Sequence, residues 1–135
     1  MIGLDTNVLV RYLAQDDAKQ AALATRLIEK RLTTTSQGFI SLVVVAELCW
    51  VLSSLYAATM HELVATLEDL LNTPRFCIEK REVLQAAIAR LKSANSRKSG
   101  LADALITETA AHAGCAATMT FDKTAARSAG MSLLV

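Results

Sequence analysis

Four of the 13 acidic residues occupy positions that solvation alone does not explain. Asp5 follows the apolar segment MIGL, Asp122 follows AATMTF, and Asp103 lies in LADALI near a predicted helix start. Glu47 is the only charged residue in residues 39–58, FISLVVVAELCWVLSSLYAA. A carboxylate in apolar surroundings loses its hydration, so it is expected only where a partner or a function requires it.

Each of these acids also has an ordinary structural explanation. Asp5 and Asp122 could cap the helices that follow them, Asp103 could interact with a helix dipole, and Glu47 could pair with a buried arginine. As a group they suggest a metal site, because two carboxylates about 4 Å apart repel by about 4 kcal/mol at an effective dielectric constant of about 20. Carboxylates without histidine or cysteine favour Mg²⁺ or Mn²⁺.

Apolar segments and amphipathic patterns alternate along the chain. Short runs bounded by polar residues predict strands, at 1–4, 37–41, 75–79, 116–121 and the final MSLLV. Leucine and alanine at helical spacing predict helices, at 18–32, 60–73, 80–95 and 101–113. This alternation predicts an α/β fold with a mainly parallel central sheet of about four to five strands. Ligands of such sheets bind at the carboxyl ends of strands, where Asp5 and Asp122 lie.

The composition indicates one domain, residues 1–135, with a net charge of +1 and no general attraction to nucleic acid. Hydrophobic residues make up 53% of the chain, so some apolar surface is expected to face a partner. Three widely spaced cysteines predict buried, reduced thiols, and the N-terminus does not look like a secretory signal, so a cytoplasmic location is expected. Residues 39–58 could span a bilayer, but Glu47 would lie near mid-depth without flanking basic anchors, so no membrane partner is expected.

Four motifs, in the order in which they occur along the chain, resemble the PIN domain family, and within it the VapC-type toxin ribonucleases of bacterial type II toxin–antitoxin systems. They are DTNVLVRYL with Asp5, VVVAELCWVL with Glu47, LADALI with Asp103, and TFDKTAARSAGMSLLV with Asp122. The resemblance implies a three-layer α/β/α sandwich in which Asp5, Glu47 and Asp103 hold the metal and Asp122 is a less uniform fourth acid.

The resemblance also assigns supporting residues. Thr6 and Asn7 match polar residues beside the first acid, and Thr120 matches a hydroxyl residue shortly before the fourth. Basic residues near the four acids are expected to hold the RNA backbone, namely Arg11, Arg97, Lys98, Lys123 and Arg127. Aromatic residues are few and several are expected in the core, which argues against a broad base-stacking platform.

The implied activity is endonucleolytic hydrolysis of RNA with Mg²⁺, or with Mn²⁺ in its place, and transfer RNA and ribosomal RNA are plausible substrates. The implied partners are a small antitoxin in a groove near the N-terminal helices and a second copy of the chain in a homodimer. One alternative is a non-catalytic PIN-like module that binds RNA or protein. Another is a magnesium-dependent phosphatase of the haloacid dehalogenase type, which is disfavoured because Asn7 stands where that chemistry usually needs a second aspartate.

Overall fold

The structure is a computed structural model that describes residues 1–93 and 100–135. It contains two compact units, an N-terminal unit of residues 1–79 and a C-terminal unit of residues 80–135.

The N-terminal unit is built on three parallel strands. They are β1 (Ile2–Gly3), β2 (Gly38–Ile40) and β3 (Phe76–Ile78), with β2 in the centre. Gly38 pairs with Ile2 on one side and with Phe76 on the other. A Cβ atom at Gly38 would lie 2.7 Å from side-chain carbons of Leu4 and Leu32. A larger residue would displace the ends of these two leucine side chains, so the close packing around the central strand favours glycine.

Four helices connect these strands along the chain, two between β1 and β2 and two between β2 and β3. They are α1 (Thr6–Ala14), α2 (Ala18–Arg26) with a π-helical extension (Leu27–Arg31), α3 (Leu42–Leu55) and α4 (Met60–Leu71). Asp17 caps α2 by accepting a hydrogen bond from the backbone N–H of Gln20, and Thr59 and Glu62 form a reciprocal capping box on α4. Leu9, Ile28, Ile40, Leu48 and Leu67 are fully buried.

The C-terminal unit contains two long helices followed by two short parallel strands. Its elements are α5 (Arg81–Lys92), α6 (Leu101–His112), β4 (Met119–Thr120), α7 (Lys123–Ser128) and β5 (Ser132–Leu133). Arg90 of α5 donates to Glu108 of α6 at 2.9 Å. The buried Thr107 hydroxyl donates to the carbonyl of Ala129 at 2.8 Å, which attaches α6 to the turn after α7.

The predicted α/β class and the parallel strand pairing are confirmed, although the described strands form one sheet of three strands and one of two instead of a single sheet of four to five. Every segment predicted as a strand contains one, although each strand is shorter than its apolar run, and all four predicted helices are present. The last two residues of the predicted helix 80–95 lie outside the described residues. In the described part of the chain, no helix is long and apolar enough to cross a membrane.

Helix α3 is buried on one face only, although its sequence is apolar almost throughout. Val45, Leu48, Cys49 and Leu52 are buried, whereas Val43 is 77% exposed and Val44 and Val51 are half-buried. Only every third or fourth residue of a helix can face one core, so an apolar sequence leaves apolar residues on the opposite face.

Two predictions about burial are wrong. All three cysteines are free, but only Cys49 is buried, and Cys115 is exposed. Several aromatic residues were expected in the core, but among the described residues only Phe76 is buried, and Trp50 and Phe121 are 64% and 80% exposed.

Candidate functional site

Asp5 lies where β1 ends and α1 begins. Its backbone is extended at the N-cap position of α1, but its carboxylate accepts no capping hydrogen bond from the helix. The side chain is exposed and forms no hydrogen bond or ion pair within residues 1–93 and 100–135. The capping explanation of Asp5 is therefore not what the structure shows, and both carboxylate oxygens are available to a ligand.

Glu47 of α3 is tied to the residue that follows Asp5. The hydroxyl of Thr6 donates a hydrogen bond to Oε1 of Glu47. Thr6 is 3% exposed, so its hydroxyl has one fixed position, whereas Glu47 itself is exposed. The partner of Glu47 is thus a threonine and not the buried arginine considered from the sequence.

This hydrogen bond brings two carboxylates to the N-terminus of one helix. Asp5 precedes the first residue of α1, Thr6, and Glu47 is bound to that residue. The N-terminus of a helix carries partial positive charge and unpaired N–H groups, which stabilise negative charge nearby. Repulsion between the two carboxylates is therefore partly offset before any cation binds.

The position of Glu47 depends on how α3 begins. The hydroxyl of Ser41 accepts a hydrogen bond from the N–H of Val44 at 3.2 Å, and Oε1 of Glu79 accepts one from the N–H of Leu42 at 2.9 Å. Buried Val45 and Leu48 hold the opposite face of the helix. The sequence analysis did not predict the role of Glu79, since a glutamate followed by Lys80 and Arg81 is usually a solvated charge.

Arg11 lies further along α1 and is held by three side chains of the same unit. Its guanidinium donates to Gln20 at 2.7 Å and to Asp16 at 3.2 Å, and it lies 3.4 Å from the hydroxyl of Tyr56. Tyr56 donates to Asp16 at 2.6 Å, and this hydrogen bond, with the nearby Arg11, holds the pKa of the Asp16 carboxyl below its ordinary value. Much of the charge of Arg11 is therefore balanced within the protein.

Asn7 occupies the second position of α1 and is exposed. It lines a groove of about 280 Å³ on the N-terminal unit. The groove is lined by residues of α1, α2 and the π-helical extension, namely Asn7, Val8, Arg11, Gln20, Leu23, Ala24 and Leu27.

The C-terminal unit carries the other two predicted acids. Asp103 is in the first turn of α6, is half-buried, and has no hydrogen-bonding or ionic partner among the described residues. Asp122 is the N-cap of α7, where its carboxylate accepts from the N–H groups of Thr124 and Ala125 at 2.8 and 3.3 Å. Thr120 stabilises the same turn by accepting from the N–H of Asp122 at 3.0 Å. The capping explanation considered for Asp122 is thus observed.

Each unit therefore contributes two of the four acids. Within either unit, the described residues contain no group of three or more histidine, cysteine, aspartate or glutamate side chains that could hold a metal ion. The available donors are nevertheless hard oxygen atoms, which fit Mg²⁺ or Mn²⁺, and the carboxylates of Asp5 and Asp103 are not engaged by other described groups. Lys123 and Arg127 are exposed near Asp122, whereas Arg97 and Lys98 lie outside the described residues.

Comparison with known proteins supplies independent information. The family model described as PIN domain matches residues 2–130, which is nearly the whole chain. The match confirms the PIN-like α/β fold class predicted from the sequence. A search of curated proteins found no match.

Proposed function

The chain belongs to the PIN domain family, and we propose that it is a metal-dependent endoribonuclease that acts as the toxin of a VapC-type toxin–antitoxin pair. PIN domains are in general nucleases that use divalent metal ions. The family match extends over residues of both units, which supports the proposal that residues 1–135 form a single PIN domain. A cytoplasmic location is a further part of the proposal.

The observation that carries the proposal is the hydrogen bond from Thr6 to Glu47. It joins two segments that are far apart in sequence and brings a second carboxylate next to Asp5 at the start of α1. Neither carboxylate forms an ion pair with a described basic residue. Two neighbouring acids without a basic partner repel each other, and a bound cation would remove that repulsion, which supports a metal site at this position.

The proposed metal ligands are Asp5, Glu47, Asp103 and Asp122, and the proposed ion is Mg²⁺, with Mn²⁺ as a substitute. A bound divalent ion supplies Lewis-acid activation of water and neutralises charge on the phosphate and the leaving oxygen. Thr6 holds Oε1 of Glu47 and so leaves Oε2 directed to solvent or ligand. Asp122 would combine its capping role with metal binding, which leaves it fewer free oxygen lone pairs than Asp5.

The proposed substrate is RNA, with transfer RNA and ribosomal RNA as candidates. Exposed Lys123 and Arg127 on α7 can contact phosphates without distortion of the fold. Arg11 can contribute long-range electrostatic attraction to the RNA. A direct contact with phosphate would require Arg11 to give up its hydrogen bonds to Gln20 and Asp16. The balanced net charge of +1 agrees with a small, local set of backbone contacts.

The groove on α1 and α2 supports the proposed antitoxin. Its apolar lining includes Val8, Leu23 and Leu27, and Leu23 is 57% exposed. Asn7 and Arg11 add polar groups to its lining. An amphipathic segment of an antitoxin that covered Leu23 would end close to Asp5, so the groove suits an inhibitor that blocks the metal site.

A homodimer is the remaining part of the proposal. The C-terminal unit exposes Ile106, Met119 and Phe121 by 52%, 54% and 80%. Exposed apolar side chains of this size commonly mark a surface that another chain covers.

The decisive experiment measures RNA cleavage by the purified protein with Mg²⁺, with Mn²⁺ and with excess chelator. We expect cleavage only with metal, and a loss of at least about 100-fold in kcat for Asp5→Asn and for Asp103→Asn, because each removes a ligand that stabilises transition-state charge. Asp69→Asn is a matched control, since Asp69 is an exposed helical acid on α4. It should cleave like the unmodified protein.

Three outcomes would contradict the proposal in different ways. Cleavage that persists in both Asp5→Asn and Asp103→Asn would refute the ligand assignment. Retained RNA binding without any cleavage would favour the non-catalytic module. Normal growth of a bacterial host during strong expression of an active protein would refute the toxin role while leaving the nuclease assignment intact.

A further inference from the structure

Trp50 is the only tryptophan of the chain, and it is 64% exposed on α3. Its backbone carbonyl accepts a hydrogen bond from Ser53 at 3.1 Å, but its indole N–H donates to no acceptor among the described residues. Tryptophan is usually largely buried, and its N–H usually finds a partner. Contacts within the described chain therefore do not explain why this ring is held at the surface.

The position of Trp50 relative to Glu47 is the key observation. The two residues are one helical turn apart on α3, a spacing that brings Cβ atoms to within about 5 to 6 Å. Val43, which is 77% exposed, lies one turn before Glu47 on the same face. The acid that Thr6 orients is thus flanked by an exposed apolar side chain on one side and by an exposed indole on the other.

We propose that Trp50 stacks on an unpaired nucleobase next to the scissile phosphate and so contributes directly to the affinity for the substrate. This inference rests on the proposed ribonuclease function. A phosphate bound near Glu47 carries its sugar and base within reach of the next helical turn. An indole face stacks on any of the four bases, but only when the base is not already stacked in a duplex.

A protein partner fits this surface less well than RNA does. A protein interface that covered Trp50 would also remove water from the Glu47 carboxylate one turn away, and burial of an unpaired charge is costly. RNA bound at the same carboxylate through a divalent ion would leave no charge unpaired. Charge thus favours a nucleic acid as the occupant of this face.

The test measures steady-state cleavage of a short unstructured RNA by the unmodified protein, Trp50→Ala and Trp50→Phe. We expect Trp50→Ala to raise KM by about 5- to 150-fold with unchanged kcat, the range that alanine substitution of a stacking aromatic gives. Trp50→Phe should restore most of the affinity because a phenyl ring also stacks. Leu55→Ala is the matched control: Leu55 is 71% exposed on the same helix but lies two turns from Glu47.

An RNA that lacks one base makes the test specific. After the cut site is mapped, the same RNA is made with an abasic residue on either side of the scissile phosphate. On one of these two RNAs, Trp50→Ala and the unmodified protein should have equal KM values. An equal penalty on both abasic RNAs, or no penalty on the intact RNA, would overturn the stacking proposal.

Two further measurements distinguish the stacking proposal from a role of Trp50 in a protein interface and from a failure of the proposed function. Sedimentation of Trp50→Ala should match that of the unmodified protein, and conversion of a dimer to a monomer would instead assign Trp50 to an interface between copies. If the unmodified protein cuts no RNA, the proposed function fails, but the fluorescence of the single tryptophan still reports stacking. Quenching by single-stranded RNA and not by duplex RNA is the expected result, and unchanged fluorescence at saturating RNA would refute stacking.

Discussion

Substitution of Thr6 by valine should weaken metal binding and leave the fold intact. Valine has nearly the shape of threonine, so the 3% exposed position stays filled and the change removes only the hydroxyl that donates to Glu47. Glu47 would then keep its place on α3, because Ser41, Glu79 and the buried face of the helix fix it, but its carboxylate would rotate freely.

The expected magnitudes follow from the exposure of the two partners. A hydrogen bond to a charged group contributes about 1.5 to 3 kcal/mol when both groups are buried. Glu47 is exposed, so water can replace the lost donor, and the free energy of unfolding should fall by about 1 kcal/mol or less. Loss of the group that orients a metal ligand typically weakens metal affinity by about 10- to 100-fold.

The assay is calorimetric titration with Mn²⁺, combined with thermal unfolding of the metal-free protein. Thr66→Val is the matched control, because the Thr66 hydroxyl donates to the Glu62 carbonyl at 2.9 Å within α4 and touches no proposed ligand. It should bind Mn²⁺ like the unmodified protein. If Thr6→Val binds Mn²⁺ with unchanged affinity, Thr6 does not orient a ligand. If it unfolds several kcal/mol more easily, the effect on metal is a consequence of lost structure.

Three more predictions test individual side chains. Glu47→Gln should keep the fold, since the amide oxygen can still accept a hydrogen bond from Thr6. The variant should nevertheless lose most of its affinity for Mn²⁺ in the same titration. Unchanged affinity would show that Glu47 is not a metal ligand. Asp122→Asn should keep the cap of α7 and reduce cleavage, whereas Asp122→Ala should also lower the free energy of unfolding by about 1 kcal/mol; full activity of Asp122→Asn would leave Asp122 with a capping role alone. Burial raises the pKa of the Cys49 thiol to about 12, above its ordinary 9.0. The stability that the buried, neutral thiol contributes is therefore complete below pH 9 and is lost as the pH rises towards 12. A thiol reagent at neutral pH should therefore label exposed Cys115 quickly and Cys49 only after unfolding, and rapid labelling of native Cys49 would contradict its burial.

The order of strands and helices was predictable because it depends on local sequence patterns. Apolar runs bounded by polar residues located all five strands, and leucine and alanine spacing located α2, α4, α5 and α6, since backbone hydrogen bonding and side-chain periodicity act over a few residues. The motifs with Asp5, Glu47, Asp103 and Asp122 also gave the PIN domain resemblance that the family match then supported. Shorter strands were not predictable, because strand ends depend on pairing with distant segments.

Exposure was the property that the sequence predicted least well. The run around Glu47 is apolar almost throughout, so its pattern has no polar face to indicate which side of α3 meets the core. Contacts with distant segments buried Leu48 and Cys49 and left Val43 and Trp50 at the surface. Cys115 also lies in a largely apolar segment, so the local sequence did not indicate that its side chain is exposed.

The sequence by itself determined that a carboxylate would follow β1 and that another would interrupt the apolar run of α3. Only the tertiary structure decided that Thr6 holds Glu47 beside Asp5, that Glu79 caps the helix carrying Glu47, and that Asp16 and Tyr56 engage Arg11. These partners are distant in sequence or depend on a turn of the chain, so no local pattern encodes them. The packing of the core determines where the helices lie, and the polar contacts of the site depend on where this packing places the ends of the helices.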